Sequence, residues 1–266
     1  MNNTMETRMM KLVKGLMWSM GILFAIIMVL GISRAFYSSF LESGSSPTET
    51  ATSPLEEARD WEKAAENAES PQQEIEYRLR ASQAYVEAGI RQPFNTFDLA
   101  AAMAPRIREL QQEHKLPKAA PNRGLCLMFD EAKGNFSCLA AHVQSGIYDF
   151  SADSDRDARD YASTLLCDML EFIDWHRYGS EVQQLKPLVI SLLQQGARTT
   201  WSDLWNWHKS TDAVLTAVRT RDAEFLRAVL DCGLPASGIN GDKKPECEAL
   251  WQNSPDLVEI LQSYAK

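Results

Sequence analysis

The chain lacks every linear pattern that would announce an enzyme. Its 266 residues hold no H-E-x-x-H, C-x-x-C or G-x-S-x-G motif, and no glycine-rich loop able to cradle a phosphate. Histidine occurs four times, at 114, 142, 176 and 208. Glycine, with 13 residues, and proline, with 11, are too sparse for a collagen-like or low-complexity protein. Positive charge is in deficit, with 27 Lys and Arg against 36 Asp and Glu, a net −9. A nucleic-acid binder needs a basic stripe to displace counterions, so that class is excluded. What remains is 45% hydrophobic, 24% charged and 9% aromatic, the composition of an ordinary folded chain.

One stretch departs from that average. Gly15 to Ser33 reads GLMWSMGILFAIIMVLGIS, nineteen residues without a charge, bounded by Lys14 and Arg34. A helix of that length rises roughly 28 Å at ~1.5 Å per residue, close to the hydrocarbon thickness of a bilayer. Trp18, Phe36 and Tyr37 suit the interfacial belts. Arg8, Lys11 and Lys14 precede the run, while Glu42, Glu49, Glu56 and Glu57 follow Arg34. The positive-inside rule therefore predicts a cytoplasmic tail over 1–14, a single-pass anchor over 15–33, and an exported remainder. A cleaved signal peptide competes with this reading, because Ser33-Arg34-Ala35 offers small residues at a cleavage site. Residues 1–34 carry four basic residues against Glu6, hence +3; the rest carry 23 basic and 35 acidic, hence −12.

Residues 34–53 read as a tether. Glu42 to Ser53 (ESGSSPTETATS) has no apolar side chain larger than alanine, and its root-mean-square reach is only about 20 Å. A helical block is predicted over 54–120. Ser53-Pro54-Leu55-Glu56 is an N-cap, a proline in the first turn and a glutamate placed to bond back; Ser70-Pro71-Gln72-Gln73 repeats the device. Leu55, Ala58, Trp61 and Ala65 share one face of the first helix, and Ile75, Leu79, Ser82 and Val86 one face of the second. Gly89 is expected to stop that second helix, and Pro105 to break or kink a third before Ile107 and Leu110.

After Pro121 a longer pattern emerges. Val189-Ile190-Ser191-Leu192-Leu193-Gln194-Gln195-Gly196-Ala197 and Leu226-Arg227-Ala228-Val229-Leu230-Asp231-Cys232-Gly233-Leu234 share a spacing, with 37 residues from Gly196 to Gly233. Weaker copies run through Leu139, Val143 and Gly146, and from Asp256 to Ala265 with Tyr264 in place of the glycine. This V-x-x-L-L-x-x-G-A spacing resembles the second helix of an ankyrin repeat, and Val214 and Ala217 fall where the first helix carries its Leu and Ala. The chain over 121–266 thus resembles a divergent ankyrin array of about four repeats, without the T-P-L-H signature and with an extra segment from Asp168 to Gln184; another helical-pair solenoid is the alternative. The expected fold class is all-α: a transmembrane helix, a short helical block, then an ankyrin-like α-solenoid. Both solenoid readings end each second helix on a positive-φ glycine and offer an extended concave surface to a protein.

The resemblance implies roles for several side chains. Its register turns His142 to the core, as a hydrogen-bonded structural histidine. Trp201, Trp205, Trp207 and His208 fall in the projecting segment between repeats, with Trp207 as the anchor for a partner and Trp201 and Trp205 partly in the core. Trp175 and His176 are further interface candidates. Asp153-Ser154-Asp155-Arg156-Asp157 begins like a calcium loop, but Ala158 replaces the glycine at its sixth position and Thr164 the glutamate at its twelfth, so no metal is expected. In an oxidising compartment Cys232 and Cys247 would bridge ~15 residues for about 3 kcal/mol, and Cys126 and Cys138 would tie one helical pair. The alternative is five small buried hydrophobes, Cys167 among them.

The sequence therefore predicts a bacterial inner-membrane protein whose periplasmic domain binds another protein, with no catalysis, no cofactor and no nucleic acid. The resemblance extends to anchored ankyrin-type immunity proteins that occlude secreted antibacterial toxins such as phospholipase effectors. The alternative is a structural or assembly scaffold of an envelope complex.

Overall fold

The computed structural model describes residues 53–91, 96–131, 135–151, 156–198, 211–239 and 244–265. The expected anchor over 15–33 and nearly all of the tether lie outside them. Among the described residues no helix is long and apolar enough to cross a membrane.

The fold class is all-α. Among the described residues eleven helices follow one another: α1 Pro54–Glu66, α2 Pro71–Arg91, α3 Thr96–His114, α4 Arg123–Asp130, α5 Ser137–Ser145, α6 Arg156–His176, α7 Ser180–Gln194, α8 Ala213–Arg219, α9 Ala223–Asp231, α10 Lys244–Trp251 and α11 Pro255–Tyr264. A parallel bridge between Ala119 and Tyr148 joins two of the connections.

After α1, which packs on α2, the helices pair as hairpins and the hairpins stack in chain order. α4 lies on α2 and α5 on α3; α6 lies on α4 and α7 on α5; the pattern continues through α8 and α9 to α10 and α11. Two rows result, α2-α4-α6-α8-α10 and α3-α5-α7-α9-α11. Contacts between like ends show that neighbours in a row are parallel. Asp174 near the end of α6 meets Arg219 at the end of α8 at 2.6 Å, and Tyr264 of α11 donates to Asp231 of α9 at 2.6 Å. The turns within hairpins therefore gather at one edge of the stack, and the connections between hairpins at the other. Residues from Thr52 onward form one compact unit, so the boundary expected at Pro121 falls inside continuous packing.

The pairing follows from where the apolar residues fall. Leu165, Leu166, Met169, Leu170 and Ile173 of α6, and Leu185, Leu188, Val189, Leu192 and Leu193 of α7, are buried. A lone hairpin cannot cover both sides of such helices, and its neighbours in the stack do.

Local chemistry sets the helix ends. Ser53 and Glu56 form the predicted capping box, with reciprocal bonds of 3.3 and 3.0 Å. At the second device Ser70 caps Gln73 at 3.3 Å, but the Gln73 side chain returns to the Glu69 amide at 2.9 Å. Gly146, Gly196 and Gly233 follow α5, α7 and α9 with φ of 72°, 97° and 81°, the left-handed conformation expected of the last two. Gly89, by contrast, does not stop α2, which runs on to Arg91. A Cβ there would stand 2.6 Å from Thr96 Oγ1 and 2.7 Å from the Phe97 ring, so this glycine serves close helix packing. Pro105 does not end α3 either; it faces solvent while Ala104 and Ile107 beside it are buried, and the helix continues to His114.

Two aspartates bind neighbouring hairpins together. Asp212 caps α8 through Oδ1, accepting from Val214 N and Leu215 N at 2.9 and 3.1 Å, while its Oδ2 accepts from Ile239 N in the next connection at 3.0 Å. Asp222 caps α9 through Oδ1, and its Oδ2 meets the buried Lys186 ammonium of α7 at 2.6 Å. Burial alone would raise the Asp222 carboxyl; the Lys186 hydrogen bond and the capping amides outweigh it and hold it below the ordinary aspartate value.

A carboxyl depressed in the fold stabilises it above the pKa of the unfolded chain, about 4, and loses that contribution as pH falls through the folded value. Thermal melts from pH 7 to pH 3 are expected to show an acid loss in the wild type that Asp222→Asn flattens. At pH 7, Asp222→Ala is expected to lower stability by about 1–3 kcal/mol, through the lost cap and the stranded lysine.

Candidate functional site

Polar chemistry inside the stack centres on His142 of α5, which is fully buried. Its Nε2 lies 2.9 Å from the Ala100 carbonyl of α3 and 3.1 Å from Ser82 Oγ of α2, and its Nδ1 lies 3.3 Å from the Tyr148 hydroxyl. The carbonyl can only accept, so Nε2 carries the proton and Nδ1 accepts from Tyr148. That assignment leaves Nε2 without a lone pair to take a proton from Ser82. Ser82 and His142 are both buried, so the pair also offers no approach to a substrate. It is a structural network joining the first two hairpins, the role the sequence register gave His142. Burial lowers the His142 pKa, against the opposing pull of the Ala100 carbonyl.

The surface is different in kind. At the edge where the hairpin turns gather, Trp175 is 79% exposed, Tyr178 72%, Leu250 61% and Trp251 80%. Each has a local cause. On α6 the inward stripe ends at Ile173, which turns Trp175 and His176 outward in the last turn. His176 stacks on Phe172 with ring centroids 4.0 Å apart, and its Nδ1 lies 3.0 Å from the Phe172 carbonyl. Phe172 packs edge-on against Phe129 and Phe136 at 6.1 and 6.0 Å, and those two rings stack at 5.7 Å. A column of rings thus runs along this edge from the α4–α5 turn to His176 at the end of α6. Trp175 itself donates from Nε1 to Glu171 at 3.4 Å.

On α10, Pro245 and Ala249 face inward, which leaves Cys247, Leu250 and Trp251 outside, where no further helix of the row lies among the described residues. Between these two aromatic groups lies the α8–α9 turn. There Arg219 pairs with Asp174, and Arg221 is exposed with φ 56°.

The sequence candidates divide accordingly. Trp175 and His176 stand on this edge. Trp201, Trp205, Trp207 and His208 lie outside the described residues, whose nearest members, Arg198 and Thr211, sit at the opposite edge. Residues 152–155 of the calcium-like stretch are likewise outside, and from Arg156 the chain is helical past Thr164, so those later positions form no loop. Among the described residues no three metal-ligating side chains gather. Tyr178, Arg221, Leu250 and Trp251 were not read from the sequence.

All five cysteines are free thiols. Cys126 donates to the Tyr161 carbonyl of α6 at 3.8 Å, and Cys232 to the Ala228 carbonyl at 3.2 Å, so neither is bonded to the mate named for it, Cys138 or Cys247. Burial pushes the thiols of Cys126 and Cys138 up to about 12. No family model, curated protein or solved structure matches the chain.

Two measurements check this description. Maleimide labelling of the folded protein at pH 7 is expected to modify exposed Cys247 first and to spare Cys126 and Cys138 until the protein unfolds, as read by peptide mass mapping. A histidine whose pKa is lowered by folding stabilises the fold above its unfolded value, about 6.5, and loses that stability as pH falls toward the folded value. His142→Gln is therefore expected to lower stability at pH 7.5 by about 1–3 kcal/mol and to weaken the decline between pH 7 and pH 5.

Proposed function

We propose that this chain is a membrane-anchored protein-binding module: a divergent ankyrin-type solenoid that engages its partner along the edge carrying Trp175, Tyr178 and Trp251. The exposure of these three rings carries the reading. Tryptophan and tyrosine supply much of the binding energy where proteins meet, and large rings left in water carry a hydrophobic cost that a partner removes. The row-on-row stacking of helical hairpins supports the repeat reading, as do the positive-φ glycines at 146, 196 and 233. The nineteen-residue uncharged run over 15–33 supports an anchor with the domain in the periplasm.

Within that role the sharpest reading is an immunity protein that covers a secreted toxin, such as a phospholipase effector, before it reaches its target. Occlusion needs shape and anchoring hot spots, and no catalytic group. A scaffold for an envelope complex is the second reading, favoured by the outer side of α10, which none of the other described helices of its row covers.

The test uses the full chain in its own membrane. Photocrosslinking from Trp175 and Trp251 positions is expected to trap one dominant protein, and Trp175→Ala with Trp251→Ala to weaken its binding about tenfold or more, near 1.4 kcal/mol or above. Cells lacking the protein are expected to die when neighbours deliver the toxin. Survival of such cells, with the same partner still trapped, favours the scaffold; double-variant binding equal to wild type removes the edge from the account.

A further inference from the structure

The turn between α8 and α9 holds its backbone in a conformation that side chains resist. Arg221 has φ 56°, and Asn253 takes φ 54° in the turn between α10 and α11. Asparagine tolerates this left-handed geometry, whereas for most other L-residues it is unfavourable. Glycine would meet the backbone requirement at position 221 without that cost. The long cation at this point is therefore not explained by the turn.

Its electrostatic surroundings are equally particular. Arg219 is paired with Asp174 at 2.6 Å, Arg177 faces the same carboxylate at 3.7 Å, and Lys186 is paired with Asp222 at 2.6 Å. The neighbouring cations are thus neutralised by carboxylates of the fold. Arg221 is exposed and makes no ion pair among the described residues. The order of the row places it between two apolar groups, Trp175 and Tyr178 at the end of α6 and Leu250 and Trp251 at the end of α10.

We propose that this edge recognises a protein partner through an aspartate or glutamate that pairs with Arg221, while apolar residues of the partner cover Trp175 on one side and Trp251 on the other. The inference rests on the reading of the edge as a binding surface and adds the chemistry of what binds there. A guanidinium takes a carboxylate through two parallel N–H donors, and indoles closing around the pair would exclude water and strengthen it. Residues 35–266 carry a net −12, with 23 basic and 35 acidic residues, so the bulk of the surface repels an acidic partner. The acid is then admitted at Arg221 and disfavoured elsewhere, which fixes the register of docking more than it adds gross attraction.

The experiment displays short random peptides to the full chain in nanodiscs of zwitterionic lipid. Peptides that need Trp175 and Trp251 are expected to carry Asp or Glu between apolar residues. Arg221→Glu is expected to weaken them at least tenfold and Arg221→Lys less, while circular dichroism melts stay as in the wild type. Repeating the selection on Arg221→Glu is expected to exchange the acid for Lys or Arg. Peptides that require the tryptophans but ignore Arg221→Glu overturn this inference and leave the binding edge standing. A selection that yields no peptide, or only peptides indifferent to both tryptophans, removes the edge as well. Sedimentation with phosphatidylglycerol vesicles that depends on Arg221 reassigns the cation to a lipid headgroup and also overturns the proposal.

Discussion

Each hairpin in this protein is apolar on more sides than it can close by itself. Leu165, Leu166, Met169 and Leu170 of α6, or Val189, Leu192 and Leu193 of α7, would stand in water without the hairpin before and the hairpin after. Hydrophobic burial is thus gained between units more than within them, and it drives the helices into two parallel rows. Everything else is built on that constraint. The turns collect at one edge because neighbours in a row run the same way, and residues far apart in sequence, Trp175 and Trp251 among them, come to share a surface.

Burial without direction would leave the register of one hairpin on the next loosely set. Polar groups with two bonding sites supply the direction. Asp212 and Asp222 each use one oxygen for the helix they begin and the other for an adjacent unit. His142 does the same with its two ring nitrogens between α3 and Tyr148. Such groups tolerate little sliding, because a shift that keeps one bond breaks the other and strands a partly or wholly buried polar atom.

Much of this was legible in the residues. The Ser53–Glu56 capping box and the left-handed glycines at 196 and 233 follow from short-range rules, since they depend on neighbours within a few positions, whereas the inward position of His142 was implied by the register of the repeat resemblance. What failed depended on distant contacts. Gly89 reads as a stop, yet α3 packs against that helix where only a missing Cβ makes room. Pro105 reads as a break or a kink, yet the helix does not break there: residue 105 is exposed, and the burial of Ala104 and Ile107 holds α3 together. Leu250 and Trp251 give no local signal of their exposure, because an apolar run on a short helix ordinarily belongs to a core. Nothing in Ala249-Leu250-Trp251 reveals that only the first of the three faces inward. The division expected at Pro121 failed likewise, because α2 and α3 pack on α4 and α5 as any other hairpin would.

Of the paired helices, α10 has one neighbour in its row where α4, α6 and α8 have two. Among the described residues, opening α10 therefore disrupts one interface within its row, where opening α6 would disrupt two. A molecule seated on Trp251 would cover the side of α10 that the described helices leave open, and recognition there would be coupled to order in the array. Affinity for the visitor and order in the last two helices would then rise and fall as one quantity.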